Sequence, residues 1–99
     1  MIIEKKILQI LEDYFSPSHL EVLNESSMHN VAPGAESHFR VIIVSELFID
    51  KRLLTQHQLV NQALRALLKE SIHALAIVTR TPKQWKESQK SGRSPQCLG

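Results

Sequence analysis

Apolar residues recur at helical spacing near the start of the chain, while charged residues fill the opposite face. The apolar positions are Ile3, Ile7, Leu8, Ile10, Leu11, Tyr14 and Phe15. This pattern predicts an amphipathic helix over residues 2–15. Ser16-Pro17-Ser18 is expected to end the helix, because proline cannot continue the backbone hydrogen-bonding pattern.

Two short apolar runs follow this helix and predict strands over residues 19–25 and 38–46. The second run is the stronger, since apolar residues occupy nearly every position after Phe39. The loop between the strands contains Pro33 and Gly34 and is long for a hairpin connection. Long irregular loops in small domains are disproportionately functional, which directs attention to His29 in this loop.

The second half of the chain predicts a long helix after a connection over residues 47–54. Thr55 and Gln58 resemble a capping box that opens this helix, which is expected to extend to about residue 70. Its apolar stripe consists of Leu59, Val60, Ala63, Leu64, Leu67 and Leu68.

Residues 73–80 are apolar on both alternating faces, as expected of an interior strand. Thr81-Pro82 then predicts the start of a short last helix, because threonine is a good N-cap and proline suits the first helical position. Trp85 is the one large apolar anchor of this helix.

The order helix, strand, strand, helix, strand, helix predicts an α+β fold with helices on one face of a three-stranded mixed sheet. The helical connection makes the second and third strands parallel by the crossover rule. Residues 1–90 are expected to form a single domain. Residues 91–99 are rich in Ser, Gly, Pro and Gln, which predicts a flexible tail.

Length and composition fit a small domain that folds alone: 99 residues, 42% apolar, bury roughly two-thirds of the unfolded surface. The single cysteine, Cys97, excludes an internal disulfide and fits a reducing compartment. Charged residues interrupt the apolar residues at the N-terminus, and no segment reaches membrane-spanning length. We therefore expect a cytoplasmic protein with no membrane partner.

The net charge of +2 is unevenly distributed, because residues 80–93 alone carry +4. The cations of this segment are Arg80, Lys83, Lys86, Lys90 and Arg93. Such a segment can contact phosphates, but it is also typical of a solvated terminal helix, and both interpretations stay open.

Two histidines are the candidate metal ligands, because imidazole is a common protein ligand for transition metals. His73 lies at the start of an apolar strand and His29 lies in the long loop, so together they offer half of a metal site. Each also has an ordinary interpretation, since strand-end histidines are usually hydrogen-bonded at the surface and loop histidines are commonly solvated.

The other histidines and the cysteine are weaker candidates for metal ligands. His19 and His38 are expected to be exposed and without a role. His57, at the edge of the long helix's apolar stripe, is expected to be a partly buried structural residue and a reserve ligand. Cys97 is a soft ligand by chemistry, but its position in the tail gives it no defined geometry.

Enzymatic function finds no support in the motifs. The chain has no Walker loop, no G-x-G-x-x-G and no C-x-x-C, and no order of Ser, His, Asp or Cys stands out as a catalytic set. Glycine occurs only at positions 34, 92 and 99, so the G-x-x-G loop with which KH domains grip nucleic acid is also missing. We expect a protein that is not an enzyme.

Three motifs in order resemble the BolA family. They are N-E-S-x-x-H-N-V-x-x-G-x-E-S-H-F-R-V, the x-H-x-x-V of the long helix and H-A-L-A-I-x-T-x-T-P-x-x-W. The resemblance spans nearly the whole chain, including Ser94-Pro95-x-Cys97. It implies a KH-like (type II) fold with an N-terminal helix and a three-stranded sheet, in agreement with the order of predicted elements.

The resemblance also implies a partner and a cofactor. Proteins of this family partner monothiol glutaredoxins in handling [2Fe-2S] clusters, and the family's ligands fall on His73 and on the loop residue His29. A [2Fe-2S] cluster needs four ligands, so a glutaredoxin cysteine and glutathione are expected to supply the others. The isolated apo protein is then expected to hold no cluster and to be a monomer or a weak homodimer.

The resemblance implies an alternative function as well, because members are also described as stress-linked transcriptional regulators that affect cell morphology. The residues proposed to face promoter DNA are Lys83, Lys86, Lys90, Arg93, Gln56 and Gln58. Many members have Arg-His where this chain has Gln56-His57, which removes one positive charge from that region.

Overall fold

The computed structural model describes residues 2–26 and 35–90, except for the side chain of Lys90. Four helices, three strands and one 3₁₀ turn make up this part of the chain. In chain order they are α1 (Ile2–Phe15), β1 (His19–Asn24), β2 (His38–Val44), the 3₁₀ turn (Glu46–Phe48), α2 (Leu53–Ala63), α3 (Arg65–Glu70), β3 (Ala74–Arg80) and α4 (Pro82–Lys90). The predicted α+β class and element order are confirmed.

The sheet has the order β1-β2-β3, with β1 antiparallel to β2 and β2 parallel to β3. The mixed sheet predicted from the helical crossover is therefore confirmed. The prediction that residues 73–80 form an interior strand is wrong, because β3 lies at an edge of the sheet and β2 is central. Five of the seven residues of β2 are buried, whereas only Thr79 is buried in β3.

The main core lies between one face of the sheet and helices α1 and α2. Its fully buried members include Ile7 and Leu11 of α1, Val41 and Ile43 of β2, and Val60 of α2. Burying a side chain of this size contributes about 1.5–3 kcal/mol, so these contacts hold the layers together.

The second face of the sheet also has a buried centre, formed by Ile42 and Val44. His19 of β1 pairs with Val44 and belongs to this face, and its ring stacks on Trp85 of α4 with centroids 4.5 Å apart. The arrangement of helices on one face thus holds for α1 and α2, whereas α4 lies beside the second face.

The ends of the helices differ in how well the sequence predicted them. Thr81 does cap α4, since its hydroxyl accepts from the Gln84 amide and the Gln84 side chain accepts from the Thr81 amide. The capping box at Thr55 is wrong, because α2 begins two residues earlier at Leu53, after Arg52. The long helix covers the predicted region but divides at Leu64, where the backbone leaves helical geometry (φ −99°, ψ 12°).

Asp50, in the connection between the 3₁₀ turn and α2, is exposed and has a left-handed backbone with φ 63°. This conformation costs a residue with a Cβ roughly 1–2 kcal/mol, although aspartate tolerates it better than most, whereas glycine adopts it freely. We predict that Asp50→Gly raises the free energy of unfolding by about 0.5 kcal/mol and that Asp50→Ala lowers it. Urea denaturation of both variants checks this, and an alanine variant as stable as the glycine variant would contradict it.

Candidate functional site

His73 lies immediately before β3 and its side chain is exposed. Its backbone amide donates to the carbonyl of Ser37 at 2.8 Å, and the amide of Ala74 donates to the same oxygen at 3.1 Å. Within the sheet, His38 is paired with Ala74. The start of β2 therefore fixes the backbone from which the His73 imidazole projects.

The second predicted ligand, His29, falls in residues 27–34, outside the described residues. The described residues on both sides of that segment are joined by hydrogen bonds. The Ser26 hydroxyl, in a side chain only 3% exposed, accepts from the amides of Ser37 and His38 at 3.0 and 3.1 Å. The Asn24 side chain donates to the Ala35 carbonyl and accepts from the Ser26 amide, both at 3.0 Å. Both ends of the His29-bearing segment are thus held beside the start of β2, where His73 is anchored.

Three further hydrogen bonds tie this region to the body of the fold. The Glu36 carboxylate accepts from the amides of Ile3 and Glu4 at 3.1 and 3.2 Å, where the first turn of α1 lacks intrahelical partners. A carboxylate here also interacts favourably with the positive end of the helix dipole. On β2, Arg40 donates to Glu25 at 3.0 Å.

His38 is the residue of this site that sequence reasoning missed. It was expected to be exposed and without a role, but it is partly buried and its ring lies against that of His73, with centroids 5.4 Å apart and an interplanar angle of 55°. Its Nδ1 lies 2.8 Å from the Ser37 hydroxyl. The parallel register of β2 and β3 creates this proximity, and the spacing of the two histidines along the chain gives no signal of it.

The remaining described histidines lie outside this pair. His19, expected to be without a role, packs on Trp85, and its Nε2 lies 2.7 Å from the Glu21 carboxylate. His57 is partly buried, as predicted. Burial, and then the positive charge of Arg80, lower the pKa of His57 below its ordinary value of 6.5.

Gln56 requires a correction, because the hypothesis that its side chain faces DNA conflicts with its burial. It is only 6% exposed, and its amide nitrogen donates to the carbonyls of Phe48 and Lys51 at 3.2 and 2.8 Å. Its amide oxygen accepts from the Thr79 hydroxyl at 2.5 Å. Gln56 is thus a buried connector between α2, β3 and the turn before α2.

The other proposed DNA-facing residues are only partly within the described region. Gln58 on α2 and Lys83 and Lys86 on α4 are exposed. The side chain of Lys90 and the whole of Arg93 lie outside the described residues, as does Cys97.

Within residues 2–26 and 35–90, no three or more His, Cys, Asp or Glu side chains lie together in an arrangement that could hold a metal ion. Two imidazoles, those of His38 and His73, do lie side by side in this part of the chain. None of the helices in the described part of the chain has the length and apolar character needed to span a bilayer.

Comparison with known proteins identifies close relatives. The model of the family described as "BolA-like protein" matches residues 11–84. A Vibrio cholerae protein named "DNA-binding transcriptional regulator BolA" is 52% identical over 99 residues, covering 99% of this chain and 90% of that protein. The human "BolA-like protein 1" is 47% identical over 97 residues, covering 98% of this chain and 71% of that protein.

Solved structures agree with these relatives. The solution structure of BolA1 from Mus musculus superposes with a TM-score of 0.81 at 45% identity, covering 98% of this chain and 79% of that one. BolA1 from Arabidopsis thaliana superposes with a TM-score of 0.76 at 32% identity, covering 81% of this chain and 92% of that one. The resemblance seen in the motifs thus extends to the fold.

The lowered pKa of His57 predicts a pH-dependent stability. Above the unfolded-state pKa near 6.5, His57 is neutral in both the folded and the unfolded state. As the pH falls below that value, the unfolded state takes up the proton first. The free energy of unfolding therefore decreases as the pH falls toward the lower folded-state pKa. We predict that the free energy of unfolding falls more between about pH 7.5 and about pH 5.5 in the native chain than in His57→Gln. Urea denaturation at both pH values checks this, and equal losses would contradict it.

A second variant isolates the contribution of the Arg80 charge to the pKa of His57. Arg80→Gln should raise the pKa of His57 only part of the way, because burial remains the larger cause. The exposed Arg65 provides a matched control, and Arg65→Gln should leave the pKa of His57 unchanged in an NMR titration of the imidazole protons.

Proposed function

Since the chain belongs to the BolA-like family, we propose that it is a non-enzymatic cytoplasmic protein that binds a monothiol glutaredoxin and shares a [2Fe-2S] cluster with it. Its role would be iron–sulfur trafficking or sensing. The observation that carries this proposal is the position of His73, whose exposed imidazole projects from a backbone fixed by two hydrogen bonds to Ser37.

The donor set suits a shared cluster. Imidazole is an established ligand for iron, and a [2Fe-2S] cluster takes four protein or thiol ligands. His73 supplies one of them, and His29 is proposed as the second. The glutaredoxin cysteine and the thiolate of glutathione would supply the other two. When bound, a cluster with two imidazole ligands has a raised reduction potential, as in Rieske centres.

The residues around His73 support this function by limiting motion. The Ser37 carbonyl holds the backbone of His73, and the Ser26 hydroxyl holds the amides of Ser37 and His38. The side chain of Asn24 bonds to Ala35 and to Ser26, the described residues on either side of the segment that carries His29.

We predict that His73→Ala abolishes most of the change in the visible circular dichroism that the native chain causes in a cluster-loaded monothiol glutaredoxin, because one ligand is lost. His29→Ala should weaken the complex less, since water or another side chain can replace a loop ligand. His57→Gln serves as the matched control and should behave as the native chain.

Two outcomes contradict different parts of the proposal. A spectrum that stays unchanged when the native chain is added excludes the shared cluster. A spectrum that the native chain and His73→Ala change equally leaves the complex intact but removes His73 as a ligand. Co-expression gives a simpler check, since a brown complex should purify with glutaredoxin while the protein alone purifies colourless.

A second candidate function, promoter binding by a stress-response regulator, is favoured by the name of the Vibrio cholerae relative and by the exposed cations of α4. Lys83 and Lys86 lie on the first turns of this helix and are both exposed. Gln58 is an exposed polar residue near the start of α2, whereas Gln56 is excluded from this surface by its burial.

DNA binding through these cations should depend strongly on salt. Contacts with about four phosphates give a slope near −3.6 in log affinity against log salt, or roughly a hundredfold loss between about 50 and 200 mM. We predict that Lys83→Ala with Lys86→Ala weakens binding to promoter and scrambled DNA alike and reduces the slope by about half. Lys5→Ala with Lys6→Ala on α1 is the control of equal charge and should have little effect.

Fluorescence anisotropy at two salt concentrations distinguishes the outcomes. A promoter preferred at least tenfold over scrambled DNA supports regulation as the primary function. Equal, weak binding to both DNAs indicates nonspecific electrostatic attraction and contradicts promoter recognition.

A further inference from the structure

The imidazoles of His38 and His73 form a pair that the backbone holds in place. His38 is the first residue of β2, and its strand partner Ala74 directly follows His73. The Ser37 carbonyl accepts from the amides of both His73 and Ala74. The two rings therefore project from adjacent, hydrogen-bonded strands within the described part of the fold.

The separation of the rings suits two ligands of one metal ion. An imidazole nitrogen lies about 2.1 Å from a bound Zn²⁺ and the ring centre about 1.2 Å further away, so two rings at tetrahedral angles have centroids about 5 Å apart. The His38 and His73 centroids are 5.4 Å apart. Small side-chain rotations would thus bring one nitrogen of each ring to a common metal ion.

Ser37 adds the orienting contact that histidine ligands usually have. The Nδ1 atom of His38 lies 2.8 Å from the Ser37 hydroxyl, so Nδ1–H can donate to that oxygen. When Nδ1–H donates in this way, the hydrogen bond orients the ring and leaves Nε2 as the nitrogen that coordinates the metal. The side chain of His73 is exposed, which leaves room for water ligands.

We propose that the protein by itself binds one Zn²⁺ ion through His38 and His73, with water completing the coordination. The site needs no glutaredoxin, and it uses a histidine that cluster sharing does not. Since His73 would serve both ligands, zinc and the cluster would exclude each other, a consequence that rests on the proposed function. The protein would then accept a cluster only when zinc is absent from this pair.

The test is isothermal titration of the glutaredoxin-free protein, residues 1–99, with ZnCl₂. The native chain should bind one Zn²⁺ per chain, and His38→Ala and His73→Ala should each weaken binding at least tenfold. His57→Gln and Cys97→Ser are the matched controls and should keep the native affinity. Thermal unfolding without zinc checks that each variant is folded, and His38→Gln replaces His38→Ala if the alanine variant is not.

A measurement on the native chain makes the result independent of the substitutions. In NMR spectra, zinc should shift the ring signals of His38 and His73 and leave those of His19 and His57 unchanged. Absence of zinc binding overturns the proposal, as does binding that survives His38→Ala, that is lost in Cys97→Ser, or that depends on His29 and His73 without His38. Because no glutaredoxin is present, such a failure leaves cluster sharing untouched, and a failed cluster test leaves the zinc site untouched.

Discussion

The central strand β2 is the element on which the rest of this structure depends. It forms hydrogen bonds to β1 on one edge and to β3 on the other, and its buried side chains face both sides of the sheet. Its two ends also hold other parts of the chain. Ser37, just before the strand, binds the backbone of His73, and Ser45, just after it, donates through its hydroxyl to Phe15 and through its amide to Arg80. A displacement of β2 would therefore disturb the candidate site and the main core together.

Buried polar side chains position helix α2 against strand β3 through directional bonds that apolar contacts do not provide. Gln56 and Thr79 bond to each other within the core, and Gln56 also satisfies two carbonyls of the preceding turn. A buried polar group without a partner costs about 1–3 kcal/mol, and the observed placement of α2 over β3 avoids that cost for Gln56 and Thr79. Among the described residues, every buried side-chain nitrogen and oxygen has a hydrogen-bond partner.

The periodicity of apolar residues predicted α1 and the long helix, because α1 and α2 each turn an apolar stripe toward the core. The predictions that failed depended on tertiary contacts, which the local sequence pattern does not reveal. The apolar stripe of the long helix continues through Leu64, so it gives no sign of the division there. Small apolar residues made β3 resemble an interior strand, although its position at the edge depends on how the strands pair. Gln56 resembled a surface residue for the same reason, since its partner Thr79 is distant along the chain.

The parallel pairing of β2 with β3 has a consequence for folding. The β1–β2 hairpin joins segments that are near each other along the chain. His38 and His73, in contrast, come together only when β3 pairs with β2, and α2 and α3 lie between these two strands in the sequence. Contacts between distant segments form late, because the entropy of closing the intervening loop must be overcome first. A chain in which β3 has not yet docked on β2 therefore has no paired imidazoles. Any ligand that needs both histidines would therefore bind only folded molecules. Its occupancy at saturation would report the correctly folded fraction of the protein.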